Sequence, residues 1–232
     1  MTTTVGFIGC GNIAMAMISG IIRANYLPAG HIFASNRSVR NLKEVKEKYN
    51  INTTQDNREI AANCDIVFLT TTSASYEQVI AEIKDVLKEN AIVVMVAVGE
   101  SIAKNEKRFN RPVKLAKAMP NIPAQVGEGI TGIAVNTLVT PEDRNKLRSL
   151  FESFGMVEFV DESLMDIITA VGGSSPAFTY IFIEALADGA VMHGMSRKQA
   201  YTFAAQAVLG AAKMVLETGM HPGALKDSVC SP

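Results

Sequence analysis

The amino-acid sequence predicts an α/β protein in which a doubly wound, mostly parallel sheet is followed by an all-α domain. Three observations predict it. Through the first two thirds of the chain short β-branched runs alternate with helical segments, the pattern of a parallel sheet covered by helices. The runs at 66–70 and 92–96 are almost wholly apolar, as strands buried on both faces of such a sheet must be, so they belong in its middle. From Leu164 the composition turns to Ala, Met, Phe and Leu with few strand formers, and two long helical stretches follow. The implied division is 1–160 for the sheet domain and 161–232 for the helical domain.

Taken in order, strands are expected at 4–8, 31–35, 66–70, 92–96 and 113–118. Helices fall between them at 12–24, 39–49, 57–63, 76–87 and 102–109. The late helices are expected at 176–193 and 197–218, separated by Gly194-Met195-Ser196 with Ser196 as N-cap. The second contains Ala204-Ala205-Gln206-Ala207-Val208-Leu209-Gly210-Ala211-Ala212, small and apolar on nearly every face. It needs more cover than a small domain offers, which implies an oligomer interface. A helix sandwiched within one subunit is the alternative.

With 232 residues, 48% of them hydrophobic, the chain can bury a sizeable core. Lys and Arg total 22 against 23 Asp and Glu, so no basic field exists to hold a nucleic acid. Cys10, Cys64 and Cys230 lack zinc-site spacing; they suit free thiols in a reducing compartment, and no metal is implied. Met1-Thr2-Thr3-Thr4 leads directly into the first strand, leaving no room for a signal peptide, and the expected location is cytoplasmic. The uncharged run 167–183 is broken by Gly172-Gly173-Ser174-Ser175-Pro176, which argues against a membrane span.

Val5-Gly6-Phe7-Ile8-Gly9-Cys10-Gly11-Asn12-Ile13-Ala14 fits G-x-G-x-x-G/A between a strand and a helix, the Rossmann-type arrangement. Gly9 permits the tight turn, Gly11 lets the backbone approach a pyrophosphate, and Ala14 lets the helix close on the strand. A tight turn of purely structural purpose is the competing reading. An NAD site usually ends its second strand with Asp or Glu for the ribose hydroxyls. Here the strand ends Ala34-Ser35-Asn36-Arg37-Ser38, offering hydroxyl, amide and guanidinium donors to a 2′-phosphate. NADPH is therefore expected over NADH, although a solvated Arg37 would leave both cofactors usable.

A hydride-transferring enzyme asks little of its side chains beyond holding cofactor against acceptor, and no catalytic Ser/His/Asp or Cys/His set is apparent. His31, His193 and His221 stand at element ends and turns, where structural roles predominate. Two further segments gather Gly, Pro and small polar residues. Residues 118–129 follow the last strand of the parallel set, at the edge where such sheets bind ligands. Residues 171–177 are expected to form a turn opening a long helix, whose free N–H groups would suit a carboxylate. Both could be plain turns.

With these segments in place the sequence resembles the pyrroline-5-carboxylate reductase family along nearly its whole length. The resemblance rests on Gly6-Phe7-Ile8-Gly9-Cys10-Gly11-Asn12, Ala118-Met119-Pro120-Asn121, Val126-Gly127-Glu128-Gly129, Phe182-Ile183-Glu184-Ala185-Leu186-Ala187-Asp188-Gly189, Leu209-Gly210-Ala211-Ala212-Lys213-Met214 and His221-Pro222-Gly223-Ala224-Leu225-Lys226-Asp227. It implies a Rossmann domain, then an intertwining dimerisation domain, with dimers assembling into rings. It implies hydride transfer from NADPH to the C=N carbon of 1-pyrroline-5-carboxylate, giving L-proline. Carried over by position, Ile8, Gly9, Cys10, Gly11, Asn12 and Ile13 would hold the pyrophosphate, Asn36 the 2′-phosphate region and Asn57 the adenosine side. Thr70, Thr71, Thr72 and Ser73 with Ala97, Val98 and Gly99 would line the nicotinamide. Glu162, Gly172, Gly173, Ser174 and Ser175 would face the substrate.

The chain departs from the family pattern at three places. Thr70-Thr71-Thr72-Ser73 stands where Ala-Val-Lys-Pro is usual, and Gly172-Gly173-Ser174-Ser175-Pro176 where Ser-Gly-Ser-Gly-Pro is usual. At Ser231-Pro232 the family continues with Gly-Gly, a substrate-contacting Thr and a helical tail, so the expectation is of a shortened sequence or of weakened turnover, with no catalytic residue assigned. A non-catalytic paralogue that keeps the cofactor, or a reductase of a related cyclic imine, are the alternative functions. A β-hydroxyacid reductase fits less well, because the segment 177–193 has no Lys.

Overall fold

The computed structural model describes residues 3–230. Eight strands form one sheet in the order β3-β2-β1-β4-β5-β6-β7-β8. They are β1 (Val5–Ile8), β2 (Ile32–Ser35), β3 (Asn52–Thr54), β4 (Ile66–Leu69), β5 (Ile92–Met95), β6 (Lys114–Met119), β7 (Gly129–Val135) and β8 (Gly155–Phe159). All neighbours run parallel except β6 and β7. Helices α1 (Asn12–Arg23), α2 (Val39–Tyr49), α3 (Asn57–Asn63), α4 (Tyr76–Ile83), α5 (Ile102–Phe109) and α6 (Pro141–Glu152) connect them. Every residue of β1, β4 and β5 is buried, which is why those strands read as continuous apolar runs.

Two apolar clusters flank the sheet. One holds Phe7, Phe68, Phe151 and Phe154, with Phe7 and Phe68 stacked at 4.8 Å between ring centroids. The other packs Ile60, Tyr76, Ile80 and Phe109 against Val67 and Val93. Gly20 lets α1 come close to the phenylalanine cluster, since a Cβ there would lie 2.3 Å from Phe154 Cβ.

Helix α6 begins with a capping box: Thr140 accepts from Asp143 N, and Asp143 accepts in return from Thr140 N. Asp143 Oδ2 also pairs with Lys114 Nζ at 2.7 Å, tying α6 to β6. Burial pushes the Asp143 pKa up, but the Lys114 ammonium and the Thr140 donors outweigh it and hold the carboxyl below its ordinary value. A depressed folded value gives stabilisation that is complete above the ordinary Asp range and is lost as pH falls through it toward the folded value. Asp143→Asn should therefore cost about 2 kcal/mol at neutral pH. The difference from the parent should shrink below about pH 4, as urea denaturation across pH would show.

The chain divides after Ser174 into two compact units, later than the 160/161 boundary read from composition. The first unit ends with α7 (Met165–Ile168) and a π-helical segment, Thr169–Ser174. The second contains α8 (Ser175–Met192), α9 (Arg197–Thr218) and α10 (Pro222–Val229). Ser196 caps α9 as expected, accepting from Gln199 N. Helices α8 and α9 meet through small side chains, Ala187, Ala200 and Ala204, whereas Phe178 (70%), Ile181 (63%), Phe182 (55%) and Phe203 (67%) are exposed. Ser231 and Pro232, where the sequence departs from the family continuation, lie outside the described residues.

Among the described residues no helix is long and apolar enough to cross a membrane, and no group of three or more His, Cys, Asp or Glu could hold a metal ion. Several elements went unread in the sequence. β3 is only three residues long and wholly polar, and in β7 Gly129 and Gly132 interrupt the β-branched residues with positions of low strand propensity.

Candidate cofactor and substrate site

A polar groove of about 380 Å³ opens at the carboxyl ends of β1, β2 and β4, where the strand order reverses. Gly9, Cys10, Gly11, Asn36, Arg37, Asn57, Thr70, Thr71 and Thr72 line it together. Gly9 has φ +98°, and a Cβ there would lie 2.9 Å from the Thr70 carbonyl. Its N–H donates to Ser35 O at 2.9 Å, which holds the turn against β2. Gly11 differs: it is the N-cap of α1 in extended conformation, and a Cβ on it would meet nothing within 4 Å. No side chain caps α1 and no acid lies in its first turn, so the positive end of the helix, starting at Asn12 and Ile13, faces an open space. Burial pushes the Cys10 thiol up to about 11, which keeps it uncharged at neutral pH.

On the adenosine side, Ser35 Oγ donates to Asn57 Oδ1 and Asn57 Nδ2 donates to Glu82 Oε2, both at 2.8 Å. This relay fixes Asn57 at the head of α3 between β2 and α4. The Arg37 carbonyl accepts from Gln55 Nε2 at 3.2 Å, placing that turn on the groove rim. Asn41, Gln55, Gln78 and Glu82 also line the groove and were missed in the sequence. No local motif marks them; Asn41 arrives on α2, Gln78 and Glu82 on α4, and Gln55 on the loop after β3.

On the other side, Thr70 Oγ1 donates to Gly9 O at 2.6 Å, locking the β4 end to the glycine turn. Thr71 Oγ1 is a buried hydroxyl with no hydrogen-bond partner in the structure, set in the groove wall. Tyr76 is fully buried; its hydroxyl donates to Leu69 O at 2.7 Å and accepts from Val96 N and Ala97 N at 3.1 Å each. The 70–73 and 97–99 segments are thereby held side by side. Ser73, Ala97, Val98 and Gly99 lie outside the groove lining, with Val98 60% exposed.

Residues 171–177 correct the expectation of a turn with free helical N–H groups. Gly172, Gly173 and Ser174 lie inside the π-helical segment, and α8 starts directly at Ser175, so no helix N-terminus exists there. Pro176 explains the distortion, because it has no N–H for the carbonyl four residues back, that of Gly172. Asn121 supplies the missing donor: its Nδ2 reaches Gly172 O at 2.9 Å while its Oδ1 accepts from Ile130 N at 3.1 Å. The two Gly- and Pro-rich segments are thus brought together. Glu162 Oε1 accepts from Ile102 N at 2.8 Å and lies 3.9 Å from buried Lys117 Nζ. Its carboxylate caps the start of α5, beside a separate cavity of about 480 Å³ that Arg144 and Phe159 also line.

A glycine turn opening onto an uncapped helix start at the switch point of a Rossmann-type sheet is the arrangement of a nicotinamide-dinucleotide oxidoreductase. Comparison with known proteins agrees. Residues 4–99 match the family model "NADP oxidoreductase coenzyme F420-dependent", and residues 162–232 match "Pyrroline-5-carboxylate reductase dimerisation". The pyrroline-5-carboxylate reductase of Escherichia coli is 42% identical over 232 residues, covering 100% of this chain and 86% of that protein. That of Methanosarcina acetivorans is 41% identical over 228 residues, covering 98% and 84%. The Plasmodium falciparum pyrroline carboxylate reductase, solved with NADP bound, superposes with a TM-score of 0.89 at 30% identity, covering 100% of this chain and 85% of that one. The chain belongs to the pyrroline-5-carboxylate reductase family.

Proposed function

We propose that this chain reduces 1-pyrroline-5-carboxylate to L-proline with NADPH, the coenzyme lying along the groove from Arg37 to Thr72 and continuing past it toward the 97–99 segment. The observation that carries the reading is the space at Gly11, faced by the uncapped start of α1 in the groove that Asn36, Arg37 and Thr70 also line. The bound coenzyme supplies the hydride. The protein's part is to fix geometry: α1 neutralises the pyrophosphate, Asn36 and Arg37 receive the 2′-phosphate, and the 70–73 and 97–99 segments orient the nicotinamide ring. A cyclic iminium is already electrophilic, so no strong general acid is demanded of the protein. The Gly172–Ser175 stretch, with Asn121 bracing it, and Glu162 beside the start of α5 are assigned to the substrate side. The exposed apolar faces of α8 and α9 support self-association, as a dimer and as rings of dimers. Residues 161–232 act as the dimerisation and substrate domain, and a cytoplasmic location suits the three free thiols.

The test is NADPH oxidation at 340 nm on adding pyrroline-5-carboxylate, with proline identified as product. Absence of both refutes the reading. Arg37→Ala should raise the KM for NADPH roughly tenfold while changing that for NADH less than twofold, since only the former carries the extra phosphate. Equal effects on the two would place the 2′-phosphate elsewhere.

A further inference from the structure

Behind the groove wall lies a carboxylate to which the proposed reaction gives no part. Glu100 follows the Gly99 turn, and its side chain is wholly shielded from solvent. Four donors converge on it. Oε1 accepts from Ser73 Oγ and, at 3.2 Å, from Lys104 Nζ; Oε2 accepts from Asn105 Nδ2 at 2.9 Å and from Arg108 Nη1. Lys104, Asn105 and Arg108 all belong to α5, and Asn105 is itself held, donating to Ser101 O and accepting from Arg108 Nη1, each at 2.9 Å.

Three donors therefore anchor the carboxylate to the helix that follows it. The fourth does something else. Ser73 lies beyond the end of β4, on the segment facing 97–99, so its bond to Glu100 crosses from one loop to the other. The Tyr76 hydroxyl already ties the two strands at their ends, at Leu69, Val96 and Ala97. The Ser73 bond carries that tie outward, past the strand ends. Shielding a carboxylate is costly, and a bond made by a fully anchored one is correspondingly stiff.

We infer that Glu100 is a positioning residue that, anchored by Lys104, Asn105 and Arg108, holds Ser73 and so sets the 70–73 segment against 97–99 for hydride transfer. The inference rests on the reading that these two segments flank the nicotinamide. It assigns Glu100 and Ser73 to the presentation of the ring rather than to the affinity for the coenzyme, which the pyrophosphate and 2′-phosphate contacts supply.

The experiment compares Ser73→Ala, Ser73→Thr, Glu100→Gln and the Ser73→Ala/Glu100→Gln pair. It measures kcat, NADPH dissociation by fluorescence quenching, and the isotope effect with NADPH deuterated at the transferred position. Ser73→Ala should lower kcat roughly tenfold and raise the isotope effect, with NADPH dissociation changed less than about threefold. Ser73→Thr, which keeps the hydroxyl, should recover most of the rate. Glu100→Gln should show the same defect, and the pair should be no worse than either change alone. An unchanged kcat and isotope effect in Ser73→Ala, or a fully additive pair, overturns the inference while leaving coenzyme binding intact. Failure of the parent chain to bind NADPH overturns it together with the reading on which it rests. Should Glu100→Gln not fold, Ser73→Ala and Ser73→Thr still decide.

Discussion

Gly11→Val should fold like the parent and lose its coenzyme. Gly11 has φ −92° and ψ −172°, an extended conformation that a β-branched residue adopts freely, and its Cβ would touch nothing within 4 Å. The added side chain would instead fill the space in front of the α1 start, where the pyrophosphate is placed. The KM for NADPH should rise at least about a hundredfold, a loss of roughly 3 kcal/mol in binding. The melting temperature should stay within about 2 °C. Gly9→Ala makes the contrast. With φ +98° and a Cβ 2.9 Å from the Thr70 carbonyl, it should destabilise the fold by about 1–3 kcal/mol as well as impair binding. A Gly11→Val protein that binds NADPH normally would remove the groove from consideration.

Phe178→Asp with Phe182→Asp should yield a monomer that keeps its helices. Both side chains are mostly exposed on the chain itself and lie one turn apart on α8, so replacing them removes only the smaller part of their surface from cover within the chain. In a two-fold assembly each position counts twice. Four phenylalanines at ~2 kcal/mol apiece come to roughly 8 kcal/mol, enough to weaken association by nearly six orders of magnitude. Sedimentation velocity reads the size and far-ultraviolet circular dichroism the helix content. A double variant that remained associated would place the interface on other faces of the helices.

How far the fold was legible depended on burial. Ile66 to Leu69 and Ile92 to Met95 are inaccessible on both faces and announced themselves as apolar runs. β7 did not, because Gly132 makes room for Ile168, whose Cδ1 would lie 2.8 Å from an added Cβ. A residue chosen for what packs over it carries no strand signature. Thr140-Pro141-Glu142-Asp143 carries the signals of a helix start, a cap residue, a proline in the first turn and two acids, and it stands between elements with stronger apolar patterns.

The site divides in the same way. Gly9, Gly11 and Asn36-Arg37 are local in sequence and could be read directly. Gln78 and Glu82 reach the groove only because β4 pairs with β1, a long-range fact that no window of residues contains. The Gly172–Ser175 stretch looked like a turn because Gly-Gly-Ser-Ser-Pro usually is one. Only the distant Asn121 amide, at the Gly172 carbonyl, lets the helical backbone carry a proline there.

The sheet's two borders bear on how copies of this protein meet. β3, at one border, spans three residues. At the other, Arg148 donates to the Val157 carbonyl of β8 at 3.4 Å, and the guanidinium groups of Arg144 and Arg148 sit 5.4 and 5.2 Å from the centre of the Phe159 ring. Neither border offers a long, bare row of backbone groups for a visiting strand. Growth by strand addition, the usual route from a parallel sheet to fibrils, is thereby discouraged, and the greasy helices can remain sticky without making the whole protein so.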